Sequence, residues 1–227
     1  MKRLAIAAAL FAVASPAAAR TTVLLVPGSG FRGADAYDGG RMAVGDATWR
    51  RWGFRVRVVG YGPGKVGRSD VAHATRAAVR RGGRVCLYGE SSGGTWALDA
   101  AANVRGVDCV MTGAAPTDED TWRRARSGPA FTFSHRIWPA YFGTGTADNA
   151  FEPYDVWRKR RPHVPAFVVV ARNDRTVPVS QGRVMHRLRG VRLRVLAGGH
   201  RPYVHSRVSA RGLARVRREL RAFARHA

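Results

Sequence analysis

The stretch Val85–Ala101, "VCLYGESSGGTWALDAA", decides the fold. An apolar run stops at Gly89, two serines follow, two more glycines follow those, and a run of good helix formers begins. Gly89-Glu90-Ser91-Ser92-Gly93 matches G-x-S-x-G. The bare pattern is weak in a chain with 26 glycines, but its setting between a strand and a helix is specific. A serine on such a turn needs small neighbours, because the turn is strained and adjacent elements approach closely. It also stands at a helix N-terminus, where backbone N–H groups and the helix dipole favour a developing negative charge.

Outward from this turn the chain alternates between strand-like and helix-like segments. Strands are expected at 21–28, 54–62, 84–89, 107–113, 165–171 and 191–197, and helices at 41–53, 69–81 (capped by Ser69), 92–103 and 180–188. A final helix carries Leu213, Val216, Leu220 and Phe223 on one stripe. Such alternation predicts an α/β fold, with a mostly parallel sheet of about six strands and helices on both faces. "VLLV", "VCLY" and "FVVV" are apolar on both faces and read as central strands. "FRVRVV" and "VRLRVL" alternate arginine with aliphatic residues and read as the two edges.

A serine hydroxyl needs a base, and the base needs an orienting acid. On a fold of this kind the expected chain order is Ser, then Asp or Glu, then His. "ARNDRTVP" places Asp174 at the end of a buried strand, and "LAGGHRPY" places His200 in a glycine-flanked loop after the last strand. Parallel strands bring their C-terminal ends to one sheet edge, so Ser91, Asp174 and His200 are expected to converge there. Asp118 and Asp120 are rivals for the acid, and His205 and His186 for the base. Glu90 reads as a residue of local polar contacts.

With these motifs in place, the chain resembles a compact member of the α/β-hydrolase family, esterase and lipase branch, over nearly all of residues 20–227. "GESSGG" resembles the nucleophile elbow, "ARNDRTVP" the acid turn, "GGH" the histidine loop and "VLLVPGSGF" the oxyanion strand and loop. The resemblance implies a Ser91–Asp174–His200 triad, with backbone N–H groups of Ser29 and Ser92 as the oxyanion hole and no metal or organic cofactor. Two features depart from the family pattern. Pro27 stands where the family often has histidine, and no N-terminal antiparallel hairpin precedes the first strand. The activity implied is ester hydrolysis through an acyl-enzyme. Acyl transfer to another acceptor, or a non-catalytic binding role on the same fold, stays open.

Residues 117–163 interrupt the alternation and are rich in aromatic residues, among them Trp122, Trp138, Tyr141, Phe142 and Trp157. They are expected to form a small cap inserted after the third central strand, with Trp138, Tyr141 and Phe142 lining the substrate site. The alternative is that the rings only pack a helical excursion onto the core.

Residues 1–19, "MKRLAIAAALFAVASPAAA", have a basic start, an apolar run and Ala-x-Ala before Arg20. They read as a bacterial Sec-type signal peptide, and the mature chain as secreted or extracytoplasmic. The formal net charge is +24, nearly all from arginine. The arginines are dispersed and no nucleic-acid motif accompanies them, which argues against a nucleic-acid partner. GC-rich coding is the plainer reading of that charge, and electrostatic association with an anionic cell envelope is the alternative. The expected partner is a small-molecule or lipid ester. The two cysteines, Cys86 and Cys109, fall in apolar runs and read as buried free thiols; export leaves a bridge open.

Overall fold

The structure is a computed structural model, and it describes residues 21–28, 44–60, 67–123, 132, 152–200 and 209–227. Within these residues the element order is β1 (Thr21–Val26), α1 (Asp46–Arg51), β2 (Arg55–Val58), α2 (Arg68–Arg80), β3 (Arg84–Glu90), α3 (Ser92–Asn103) and β4 (Cys109–Gly113). There follow α4 (Glu119–Arg123), α5 (Pro153–Arg160), β5 (Ala166–Ala171), α6 (Val179–Met185), β6 (Val191–Leu196) and α7 (Ala210–His226).

The six strands form one sheet in the order β2-β1-β3-β4-β5-β6, and every neighbouring pair is parallel. The arginine-alternating strands β2 and β6 are the two edges, as their sequences require. The central strands β4 and β5 are buried at every residue. Their side chains alternate between two cores. On one face Leu24, Leu87, Val110 and Val168 pack with Trp96, Trp122, Trp157 and Met185, which brings α2 to α6 to that side. On the other, Val23, Tyr88, Met111 and Val169 pack with Trp49 of α1 and Val216, Leu220 and Phe223 of α7. The strand order reverses between β1 and β3, and such a switch point opens a crevice at the C-terminal ends of the strands.

Four expectations need correction. Cys86 and Cys109 are disulfide-bonded, not free. They are register partners on β3 and β4 with Cα atoms 4.6 Å apart, a pairing that local sequence does not reveal. The first helix is short: Gly45 is extended and the helix begins at Asp46. β2 covers only Arg55–Val58 of the run expected at 54–62. Ser69 does not cap α2, which starts one residue earlier after Gly67, its first residue Arg68 gripping the buried Asp99 of α3 at 3.0 and 3.2 Å. The expected signal segment 1–19 lies outside the described residues. No described helix is long and apolar enough to cross a membrane.

Candidate active site

Ser91 follows the last residue of β3 and precedes the 12-residue helix α3. Its backbone stands at φ 52° and ψ −130°, a left-handed conformation that costs a non-glycine residue about 1–3 kcal/mol. Two hydrogen bonds hold the strained turn. Ser91 N–H donates to the Gly113 carbonyl at the end of β4 (2.8 Å), and Gly94 N–H donates to the Ser91 carbonyl (2.9 Å).

Close approach explains all three flanking glycines. A Cβ on Gly89 would lie 2.3 Å from the Gly93 oxygen, and one on Gly94 2.6 Å from Ala115 Cβ. A Cβ on Gly93 would lie 2.2 Å from the carbonyl oxygen of Val26, at the end of β1. The start of α3 therefore packs directly on the strand that leads into the expected oxyanion loop. That loop is described only through Pro27 and Gly28; Ser29 lies outside the described residues. Ser92 is the first residue of α3, buried beside the turn.

His200 meets Ser91 from the loop after β6. Its Nε2 lies 3.3 Å from Ser91 Oγ, and its Nδ1 lies 3.0 Å from Asp174 Oδ2. A carboxylate only accepts, so Nδ1 carries the proton and donates it to Asp174. The Nε2 lone pair is then left facing the Ser91 hydroxyl. The Asp174 side chain is fully buried, whereas that of His200 is 25% exposed. The other carboxylate oxygen, Oδ1, accepts the backbone N–H groups of Thr176 and Val177, each at 2.8 Å. Asp174 is thus fixed from both sides. The acid turn is also tied to the histidine loop, because Asn173 N–H donates to the Gly198 carbonyl at 2.9 Å.

The described rivals, Asp118, Asp120 and His186, stand elsewhere. Asp118 accepts the backbone N–H and the hydroxyl of Thr121 at the start of α4. Asp120 is exposed on that short helix. His186 closes α6 against the Val191 carbonyl at 3.0 Å, and His205 lies outside the described residues. Glu90 accepts the buried Tyr88 hydroxyl at 2.6 Å, the local contact expected of it. Among the described residues no group of three or more His, Cys, Asp and Glu side chains is placed to hold a metal ion.

Trp138, Tyr141 and Phe142 lie outside the described residues. The two ends of the 117–163 segment are described and pack inward. Trp122 and Trp157 are buried in the sheet core, and Tyr154 N–H donates to the Thr117 carbonyl at 2.9 Å.

Two contacts that sequence reasoning missed, through Gln181 and Trp122, join this segment to the acid turn. The buried Gln181 of α6 accepts Thr117 N–H (2.7 Å) and Asp118 N–H (2.9 Å) and donates to the Asp118 carbonyl (2.9 Å). Trp122 Nε1–H donates to the Thr176 carbonyl (2.8 Å), whose own N–H holds Asp174. Nothing local in the sequence marks either contact, since both span more than fifty positions. Trp122→Phe removes the indole N–H together with part of the buried ring. Its expected effect is a loss of at least about 1–3 kcal/mol in stability, from the unpaired carbonyl and the space the smaller ring leaves, read as a shift in urea midpoint. An unshifted midpoint would show that the bond is dispensable.

An acidic group lies at the neck of the same segment. Burial first, then Asp118, Asp120 and Asp155, push the Glu152 carboxyl up to about 7. A folded value above the unfolded one means that Glu152 stabilises the fold at low pH and loses that contribution as pH rises from about 4.5 to about 7. Glu152→Gln is therefore expected to flatten the stability decline in that window and to leave a more stable protein at pH 8. Thermal melts across pH 4–8 test this; a variant that still declines in parallel with the parent would refute it.

No protein-family model matches the chain, and no curated protein matches it in sequence. Solved structures do. One is a Xanthomonas campestris pv. campestris protein assigned to the alpha/beta hydrolase superfamily, with TM-score 0.59, 16% identity, and 91% of this chain and 99% of that one covered. Another is a monoacylglycerol lipase from Paleococcus ferrophilus, with TM-score 0.58, 13% identity and 90% and 93% coverage. A third is a puromycin-hydrolysing peptidase from Mycobacterium tuberculosis, with TM-score 0.64 and 18% identity, covering 90% of this chain and 34% of that one. The chain has the α/β-hydrolase fold.

Proposed function

We propose that this protein is an exported serine hydrolase that cleaves carboxylic esters through an acyl-enzyme. The observation that carries the reading is the continuous Ser91–His200–Asp174 hydrogen-bond chain on a strained strand-to-helix turn. Backbone strain at a non-glycine residue persists only where surrounding structure enforces it, and such sites cluster at catalytic centres.

In the proposed reaction, His200 Nε2 takes the Ser91 hydroxyl proton as Oγ bonds to the ester carbonyl carbon. The carbonyl π electrons move to oxygen, and the resulting oxyanion lies against the Ser92 N–H at the head of α3 and the N–H assigned to Ser29. The tetrahedral species collapses, and the His200 proton passes to the departing alcohol. Water, deprotonated by His200, then attacks the acyl-enzyme, and the carboxylic acid leaves as Ser91 regains its proton. Asp174 holds the imidazole tautomer and stabilises the imidazolium throughout.

Lipases and esterases among the similar folds support the ester reading, and the peptidase shows that the fold also serves another bond. The 117–163 segment is proposed as the cap that sets acyl preference, through Trp138, Tyr141 and Phe142. Export is supported by the leader-like residues 1–19 and by the core disulfide, which suits an oxidising compartment.

The test is turnover of nitrophenyl esters of graded chain length, together with labelling by a fluorophosphonate. Hydrolysis with serine labelling is expected. Absence of both would favour the binding-protein reading. Acyl transfer to added alcohols in preference to water would favour the transferase.

A further inference from the structure

The outer face of α7 carries an arginine density that the catalytic reading does not use. Arg211, Arg215 and Arg218 are exposed along it with Ala214 and Ala222, and Arg217, Arg221 and Arg225, at i, i+4 and i+8, lie half-buried along one flank. The single acid of the helix, Glu219, points to the β6 edge, where it pairs with Arg194 and Arg215. Among the described residues no carboxylate lies within ion-pair distance of Arg211, Arg218, Arg221 or Arg225. The Nε–H groups of Arg221 and Arg225 are buried without a hydrogen-bond partner, while Arg225 Nη2 donates to the Trp52 carbonyl at 3.1 Å, which leaves Arg221 as the flank residue nearest the exposed arc. Like charges at i, i+4 cost a helix roughly 0.2–0.5 kcal/mol per pair, and here two such pairs run in series. Burial, then the neighbouring Arg221, lowers the Arg225 pKa.

We propose that the α7 face is a docking surface for a bilayer of anionic phospholipid. The exposed guanidinium groups of Arg211 and Arg218, with the half-buried Arg221 beside them, match phosphate headgroups. The helix has 17 residues and spans about 25 Å, enough for several headgroups. Its exposed arc holds alanine between arginines and no aromatic ring, so it lacks the stacking platform of a single-strand nucleic-acid binder. The helix begins after the His200 loop, at the sheet edge that carries the site. It runs back to the start of β3, where Arg84 donates to the carbonyls of Arg225 and Ala227. The surface is independent of the catalytic reading, since binding needs no substrate.

The experiment is co-sedimentation of the full chain with phosphatidylcholine vesicles, with and without phosphatidylglycerol. Two triple variants of equal net charge are compared. One is Arg211→Gln, Arg218→Gln and Arg221→Gln on α7; the other is Arg76→Gln, Arg80→Gln and Arg81→Gln at the end of α2. Binding is expected only with the anionic lipid and to vanish in 0.5 M salt. At about 1 kcal/mol per arginine, the α7 triple should lower partitioning about 100-fold, while the α2 triple changes it by less than about threefold. Arg218→Glu alone, at an exposed position, repeats the direction without touching a buried group. Equal losses in the two triples would overturn the proposal, because they would make binding a property of net charge. So would tighter, α7-dependent binding to duplex DNA at the same salt, or undiminished binding to neutral vesicles.

Discussion

Ser91→Ala is expected to lower kcat by about 10⁶-fold and to abolish fluorophosphonate labelling, and Asp174→Asn to lower kcat by about 10⁴-fold with the fold intact. The second effect follows from geometry. Asp174 Oδ1 already accepts two backbone N–H groups, from Thr176 and Val177. An asparagine must keep its carbonyl oxygen on those donors, so its NH₂ faces His200 Nδ1. That amide donates where the carboxylate accepted. The imidazole proton moves to Nε2, and the base lone pair facing Ser91 is lost. Residues that act as one unit are not additive, so the double variant should be no slower than Ser91→Ala alone. Steady-state kinetics on a nitrophenyl ester decides this. Near-normal turnover in Asp174→Asn, with collapse in Asp118→Asn, would move the acid to the strand before.

The parts of this arrangement legible in the sequence are those with a local physical cause. Strands apolar on both faces announce a covered parallel sheet, and β5 is buried throughout and β3 at all but its two end residues. Arginine alternation announces an edge, and β2 and β6 are the edges. Glycines about a serine announce a crowded turn, and each would clash if given a Cβ. What escaped depends on register or on contacts between distant segments. The Cys86–Cys109 bridge exists because β3 and β4 pair with those residues opposite, a fact held by neither strand alone. Gln181 reads as an ordinary helical glutamine, yet it spends its amide on backbone 63 and 64 residues away. Apolar periodicity cannot mark such a residue. Ser69 reads as a cap by residue type, but α2 begins at Arg68, whose salt bridge to Asp99 is a tertiary contact.

Gly93→Ala is expected to be the most damaging small substitution outside the triad. The added methyl carbon would lie 2.2 Å from the Val26 oxygen and 2.4 Å from the Pro27 oxygen, both backbone atoms. No rotamer relieves such a clash, so either α3 lifts from β1 or β1 shifts within the sheet. Overpacking a rigid site costs about 3 kcal/mol, and for a domain of this size that lowers Tm by roughly 10 °C. Activity should fall further than stability, because the displaced element is the one that carries Ser91. A shift of α3 by a fraction of an ångström lengthens the 3.3 Å approach of Ser91 Oγ to His200. Gly60→Ala is the matched control, since a Cβ there meets nothing within 4 Å. It should melt and turn over like the parent. If Gly93→Ala also melts with the parent and keeps its kcat, the close approach of α3 to β1 does not constrain the nucleophile turn, and the strain at Ser91 must be held by its hydrogen bonds to Gly113 and Gly94.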